Sequence, residues 1–326
     1  MKKSALVTGA SGAIGRSLID ELLAEGYKVK ALARQTSKLS GLPDAVELMI
    51  GDINDRGSLQ RAVSGVSKIF HLAALLHLNN PSPEMRVEYR RVNVEGTRAL
   101  VEVAKAANVE RVIFFSTINV YGASRPGEIF DEESAVRPDS YYAESKLEGE
   151  RIVLDEASGG VLRVAAVYGA RMKGNYPRLL QALKSGRFVM IGDGSNRRTL
   201  VHVRDLCRAA RRAAESERAA GQIFNITDGH VHTLREIIDA MSAAVGKRSA
   251  RFTLPTRYAR MLAGFLEDGL SVIGKCSPVN RSTIDKFVED IAVSGEKMQT
   301  HLGYTPDIDL AEGWRKTVGK MNESQF

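Results

Sequence analysis

Tyr142 and Lys146 stand four residues apart in Tyr142-Ala143-Glu144-Ser145-Lys146, which opens a stretch that reads as a helix to about Glu156. Residues at that spacing share a helix face, so a phenol and an ammonium can point the same way. A phenol near its reference pKa of about 10 is a poor base at neutral pH. An adjacent cation favours the phenolate and turns it into a proton acceptor. A second source of hydroxyls is Phe114-Phe115-Ser116-Thr117-Ile118-Asn119-Val120-Tyr121-Gly122, in which Thr117 precedes Tyr142 by 25 positions. A hydroxyl there can bond a reacting oxygen and hold it near the tyrosine, with Ser116 a competitor for the role. Taken singly, each of these features has an ordinary alternative: a chance spacing, or a strand-end hydroxyl bonded to backbone.

The elements that position them alternate. Short apolar or β-branched runs at Ala5–Thr8, Lys28–Ala33, Val46–Ile50, Lys68–His71 and Arg111–Ser116 predict strands. Helical patterns at Gly12–Glu25, Ser58–Val63 and Val92–Ala107 separate them. Such alternation predicts an α/β fold, a doubly wound parallel sheet with helices on both faces. Thr117 would then end a strand at the carboxyl edge, where folds of this kind bind ligands. The first strand runs into Thr8-Gly9-Ala10-Ser11-Gly12-Ala13-Ile14-Gly15 and opens a helix. Glycines at Gly9, Gly12 and Gly15 allow a tight turn and close approach of backbone to a pyrophosphate, which the helix N-terminus then meets with free N–H groups. This strand–turn–helix context predicts a bound dinucleotide. After the second strand an NAD site usually carries an acid for the ribose hydroxyls. Leu32-Ala33-Arg34-Gln35, with Lys38 close behind, has none. Arg34 can instead pair with a 2′-phosphate through its forked donors, so NADP(H) is favoured over NAD(H). Asp52, in Gly51-Asp52-Ile53, is placed to bond the adenine amino group, or serves equally as a turn aspartate.

From about Val161 the pattern loosens. Strands are predicted at Val161–Val164 and Gln222–Ile226, and helices at Tyr176–Ser185, Arg204–Ala214, Leu234–Val245, Arg257–Leu270 and Glu296–His301. The expected division is a dinucleotide-binding domain over residues 1–165, joined by a later strand near 222–227, and a smaller α/β substrate-binding part over 166–326. A chain of 326 residues with 44% hydrophobic and 26% charged residues is ordinary for a globular protein of this size. No run approaches the roughly 18 apolar residues of a membrane span, and glycines interrupt the N-terminal apolar run too early for a signal peptide. Cys207 and Cys276 are too few and too isolated for a disulfide framework or a metal site, which predicts a reduced cytoplasm and no metal. The net charge of +7 is interspersed with acids rather than gathered into a run, and aromatic residues are only 6%, so nucleic acid is a poor partner and a phosphorylated ligand a better one.

Together these residues resemble the extended short-chain dehydrogenase/reductases, the group of nucleotide-sugar epimerases, dehydratases and 4-keto-sugar reductases. The resemblance also covers His71-Leu72-Ala73-Ala74, Asn93-Val94-Glu95-Gly96-Thr97, Leu162-Arg163 and Val167-Tyr168-Gly169. It runs past Asp205 and, more faintly, to Leu302-Gly303-Tyr304-Thr305-Pro306. It implies that Tyr142 is the general acid/base, Lys146 its electrostatic partner and a ligand of the nicotinamide ribose, and Thr117 the substrate-orienting hydroxyl. It also implies a cofactor site drawn from Gly9, Ser11, Gly12, Ala13, Ile14, Gly15, Arg34, Asp52, Ile53, Leu72, Ala73, Ala74, Asn93 and Lys146. Arg198, in Arg198-Thr199-Leu200-Val201-His202, resembles the arginine that contacts the substrate diphosphate, and Asn119 joins Thr117, Tyr142 and Arg198 on the substrate side. Two departures narrow the reaction. Ala166 stands where many epimerases carry an asparagine near the substrate phosphates, which tilts towards a ketone reductase of the 4-keto-sugar or hydroxysteroid type. Ile118-Asn119 replaces the Asp-Glu pair that dehydratases need to eliminate water. The expected substrate is a nucleotide-diphosphate sugar, reacting at C4 by epimerisation or by NADPH-dependent reduction. A non-catalytic dinucleotide-binding module is disfavoured, because such proteins commonly lose the tyrosine or the lysine and both are present. A homodimer without membrane contact is expected, with Val101, Ala104 and Ala107 lining one helix face against the partner or against the sheet.

Overall fold

The computed structural model describes residues 3–37, 41–76, 82–125, 127–156, 158–172, 175–248, 252–272, 277 and 280–323. Lys38 and Cys276 therefore lie outside the described residues. The first half alternates β1 (Ser4–Thr8), α1 (Ala13–Ala24), β2 (Lys28–Ala33), β3 (Glu47–Ile50), α2 (Arg56–Val63), β4 (Lys68–His71), α3 (Met85–Tyr89), α4 (Gly96–Ala106), β5 (Arg111–Thr117), α5 (Tyr141–Leu154) and β6 (Gly159–Val164). There follow β7 (Ala166–Tyr168), α6 (Asn175–Lys184), β8 (Met190–Ile191), β9 (Arg197–Arg198), β10 (Leu200–His202), α7 (Val203–Glu215), β11 (Gln222–Ile226), β12 (His232–Thr233) and α8 (Leu234–Ala244). The chain ends with β13 (Thr253–Leu254), α9 (Thr256–Val272), α10 (Arg281–Val288), α11 (Glu296–Leu302) and α12 (Leu310–Glu323).

Seven strands form one sheet in the order β11-β6-β5-β4-β1-β2-β3. Every neighbouring pair in it is parallel. The order reverses between β1 and β4, which is where doubly wound sheets open a crevice for a ligand. All seven residues of β5 and all six of β6 are buried, as expected of central parallel strands covered on both faces. One cluster, including Val7, Leu18, Ile113, Leu162 and Phe224, fills one face of the sheet. A second, with Leu6, Leu59, Ile69, Leu100 and Val112, fills the other. A third core of Tyr168, Met190, Leu200, Ile237, Met241 and Trp314 belongs to the elements that follow β6.

The α4 region differs from a plain helix. A π-helical turn at Arg90–Glu95 joins α3 to α4, so the helical path runs unbroken from Met85 to Ala106. Val101 packs on Phe114, Val153 and Val161, and Ala104 packs among Leu100, Val103 and Val112. Val101 and Ala104 of that stripe thus pack within the chain, and Ala107 is exposed. Ion pairs link this helical path to α5 and the residues just after it, among them Arg90–Glu148 and Lys105–Glu156.

Candidate active site

A cavity of about 380 Å³ opens at the crevice between β1 and β4, lined by Gly9, Ser11, Gly12, Arg34, Asp52, Ile53, Leu72, Ala73 and Ala74 among others. Gly9 holds φ at +69°, and a Cβ on it would stand 2.8 Å from the Ala73 backbone nitrogen. A Cβ on Gly15 would stand 2.4 Å from the Gly9 carbonyl oxygen. Only glycine lets β1, the 72–76 loop and α1 converge this tightly. The first turn of α1 carries no acidic residue, so its free N–H groups and positive dipole end are unopposed for a phosphate. These features fit a dinucleotide. Ala13, Ile14 and Gly15 form that first turn rather than the cavity wall. Sequence reasoning missed Ser37, Asn54, Leu75, Leu76, Arg91 and Val92, which also line the cavity. Asp52 does serve as a turn aspartate, its Oδ1 accepting from the backbone and side-chain nitrogens of Asn54 at 2.9 Å, while remaining on the cavity wall.

Beneath the cavity runs a buried chain of polar groups. Thr8 Oγ1 accepts from the Ala73 backbone N–H (3.1 Å) and lies 2.8 Å from His71 Nδ1. His71 Nε2 lies 2.9 Å from Thr97 Oγ1, which donates to the Asn93 carbonyl at 2.7 Å. With the Thr97 hydroxyl proton committed, Nε2 is the donor and Nδ1 accepts from Thr8, a neutral imidazole. Burial, with Lys146 nearby, pushes His71 down to about 3, which keeps it neutral. Asn93, expected on the cofactor, is instead a clasp. Its Oδ1 accepts from Leu75 N (2.7 Å), and its Nδ2 donates to Leu75 O and to Ser145 Oγ. Every polar atom of its amide is engaged, so it acts on the cofactor loop from behind.

Tyr142 and Lys146 lie one turn apart on α5, whose N-cap Ser140 accepts from Ala143 N. Gly149 lets α5 sit close to β5, where a Cβ would meet Phe114 Cζ at 2.7 Å. Lys146 is buried with Nζ 3.9 Å from the centroid of the Phe114 ring. Burial pushes its ammonium down to about 7, with Glu150 opposing. Tyr142 packs edge-on to Tyr89, centroids 6.3 Å apart, and burial with that neighbour pushes its phenol up to about 12. Thr117 ends β5 and caps the 3₁₀ turn Ile118–Tyr121, its Oγ1 accepting from Asn119 N at 3.2 Å. Ser116 is excluded as its competitor. Its hydroxyl bonds Glu150 Oε1 at 2.5 Å, and Glu150 is fully buried against the forked guanidinium of Arg163 at 2.7 Å. Arg163 also donates to Tyr121 Oη, which donates to Asn225 Oδ1 on β11.

Arg198 is partly buried on β9 rather than loose in a surface turn. Its Nη2 donates to the carbonyls of Lys286 (2.6 Å) and Phe287 (3.2 Å) at the end of α10. Among the described residues its buried Nη1 has no partner. One edge of the fork is anchored and the other is available. Tyr176 is close enough for Arg198 to oppose the effect of burial, which pushes that phenol up to about 12.

Residues 5–227 match the NAD dependent epimerase/dehydratase family. The chain belongs to that family. It is an enzyme of the extended short-chain dehydrogenase/reductase group. It is 27% identical to N-acetyl-alpha-D-glucosaminyl-diphospho-ditrans,octacis-undecaprenol 4-epimerase of Escherichia coli O157:H7, over 98% of this chain and 95% of that one. It is also 27% identical to 4-hydroxy-2-methyl-3-oxo-4-farnesyl-3,4-dihydroquinoline-1-oxide ketoreductase of Stigmatella aurantiaca, over 94% and 93%. Among solved structures, UDP-glucose 4-epimerase of Thermus thermophilus in complex with NAD superposes with a TM-score of 0.75 at 27% identity, covering 98% of this chain and 99% of that one. Among the described residues no helix is long and apolar enough to cross a membrane, and no group of three or more His, Cys, Asp or Glu could hold a metal ion.

Proposed function

We propose that this enzyme transfers hydride at C4 of a diphosphate-linked sugar, with Tyr142 as the acid/base. The observation that carries this reading is the placement of half-buried Tyr142 and buried Lys146 one turn apart on α5, Tyr142 against Tyr89 and Lys146 against Phe114 of β5. Bound in the glycine cradle, the dinucleotide would supply the hydride acceptor or donor. Tyr142, with its pKa raised, holds a proton on Oη at neutral pH and can deliver it to a carbonyl oxygen in the reductive direction. In the oxidative direction the same oxygen takes the carbinol proton, and the Lys146 ammonium stabilises the phenolate. The Thr117 hydroxyl holds the reacting oxygen, with Asn119 beside it. The free edge of Arg198 takes a diphosphate oxygen through a charge-assisted bond. UDP-linked and undecaprenyl-diphosphate-linked sugars, the substrates named for two relatives, both offer that group.

The cofactor favoured is NADP(H). No acid follows β2 at the exposed Arg34, which lines the cavity, while Arg91 on the same cavity is paired with Glu88 at 2.8 Å; Arg34 is the guanidinium that supports reading a 2′-phosphate. With Ala166 in place of an amide, this favours single-pass reduction of a keto-sugar over epimerisation. The test is to denature the purified protein, identify any dinucleotide released, and follow NADPH oxidation with a UDP-4-keto-hexose. An empty protein that binds NADPH more tightly than NADH and turns over the keto-sugar supports reduction. Near one NAD(H) per chain overturns the cofactor assignment and makes the enzyme an epimerase. No turnover in either direction with any diphosphate-linked sugar overturns the substrate class.

A further inference from the structure

Helix α9 carries a face that the fold leaves uncovered. Its inner residues Ala259 and Ala263 pack on Ile284 of α10. On the adjoining side Tyr258, Met261, Leu262, Phe265 and Leu266 are all exposed, Phe265 to 68%. Their spacing of i, i+3, i+4, i+7 and i+8 gathers them into one continuous stripe along the helix. Phe252, just ahead of the helix, is 80% exposed. Exposed apolar residues scattered singly are normal on a soluble surface, whereas a contiguous stripe marks a contact.

Charge identifies the contact. From Lys247 to Val288 the sequence carries eight Lys and Arg against three Asp and Glu, so this short segment holds +5 of the chain's +7. Arg257 and Arg260 lie on α9 itself, off the apolar stripe. Arg260 is paired with Asp285, and the Glu267 and Asp268 carboxylates of α9 are taken up by Arg281. Among the described residues this leaves Arg257 and the flanking Lys247, Arg248 and Lys286 as the cations outside those ion pairs. An apolar helical face with aromatic members and a basic surround suits the interface of an anionic bilayer. The stripe enters the boundary of headgroups and acyl chains by roughly 5–10 Å, and the cations meet lipid phosphates. We propose that α9 docks this enzyme on the surface of an anionic membrane, lying in the interface and not across it. The lack of a membrane-length apolar run excludes a span and leaves surface binding open. The carbonyls that seat Arg198 belong to the end of α10, the helix on which α9 packs. Docking would therefore bring the diphosphate-binding arginine near the membrane plane, within reach of a lipid-borne sugar diphosphate. That consequence rests on the function proposed above; the docking does not.

The test is co-sedimentation of the full chain with phosphatidylcholine vesicles made with and without phosphatidylglycerol. The expected result is pelleting with the anionic vesicles alone, weakened by high salt. In the double variant Leu262→Asp, Phe265→Asp the bound fraction should fall by about tenfold or more. Both residues are exposed, so the variant should keep its melting temperature, its NADPH affinity and its turnover of a soluble UDP-sugar. A wild-type chain that stays in the supernatant with anionic vesicles overturns the proposal, and so does a double variant that pellets like wild type. A dimer in light scattering that this variant splits into monomers, with no vesicle binding, assigns the stripe to a second copy and also overturns it. Failure of the catalytic reading would leave the vesicle result unchanged.

Discussion

Lys146 shows how a residue can cost stability and still be needed. Among the described residues its buried ammonium has only a phenyl face and the more distant Glu150 to favour it, and its pKa stands at about 7. Between that value and the ordinary lysine value of about 10.4, the unfolded chain binds a proton that the folded chain does not. Wild-type stability therefore rises with pH across this window. Lys146→Met should melt higher than wild type at about pH 6, with a gap that narrows from pH 7 upwards and closes near pH 10.5. Turnover should be lost throughout, since the phenolate loses its cation. Thermal melts across that range decide the matter: a gap independent of pH would mean that the ammonium is not the source of the cost. Tyr142→Phe separates binding from chemistry. Removing the hydroxyl should lower kcat by about a hundred- to ten-thousand-fold, the usual worth of a positioned acid/base. The NADPH dissociation constant, read by fluorescence titration, should stay unchanged, and a fully active variant would remove Tyr142 from the mechanism. Both residues were legible because their relation is local, one helical turn. Ser116 was not, because its partner Glu150 lies 34 residues away and leaves no trace in the pattern around it.

At the scale of elements, the central strands and the glycine turn could be read because burial on both faces imposes continuous apolar runs and because a close approach admits only glycine. The π turn at Arg90–Glu95 could not, since a helix that accommodates an extra residue keeps a helical sequence pattern. Its use is visible only through Asn93, which closes on Leu75 from 18 residues away and fixes the loop that walls the dinucleotide cavity. Asn93→Ala leaves both Leu75 backbone groups and the Ser145 hydroxyl without that partner, at about 1–3 kcal/mol for each group left unsatisfied. The expected outcome is a lower urea midpoint together with an NADPH dissociation constant raised by about tenfold. An unchanged dissociation constant with a lowered midpoint would make the clasp purely structural. Gly9→Ala acts on the same loop from the side of the glycine turn. It forces a Cβ onto the Ala73 amide at positive φ, and should weaken dinucleotide binding at least as much.

Across the whole molecule, the segment that follows α10 stitches the later elements to the sheet. Asp290 accepts from Arg197 N at 2.7 Å and from its guanidinium at 3.1 Å, while the Asn196 amide holds the carbonyls of Phe287 and Glu289. Further along, Ala292 O accepts from Phe130 N, Val293 N donates to Thr199 Oγ1, and Ser294 O accepts from the Asn225 side chain on β11. Asn225 leads back through Tyr121 and Arg163 to Glu150 on the catalytic helix. Contacts that span about ninety residues carry no periodicity, which is why the pattern loosened from about Val161 and why the seat of Arg198 was invisible in the sequence. The same stitching gives a prediction that separates substrate from cofactor. Asp290→Ala removes the carboxylate that holds Arg197 N and its guanidinium, leaving the bond from that guanidinium to Glu128 O, and loosens the end of α10, whose carbonyls aim Arg198. The dinucleotide cavity, at the switch point, is lined by none of the residues in these contacts. KM for the diphosphate substrate should therefore rise by about tenfold, the order expected when a charged, hydrogen-bonded anchor is loosened. The NADPH dissociation constant should hold, and kcat should change little. Asp290→Asn, which keeps the bond from Arg197 N, should recover part of the loss. A variant in which KM and NADPH affinity worsen together would show that the strap supports the fold as a whole rather than the arginine that reads the diphosphate.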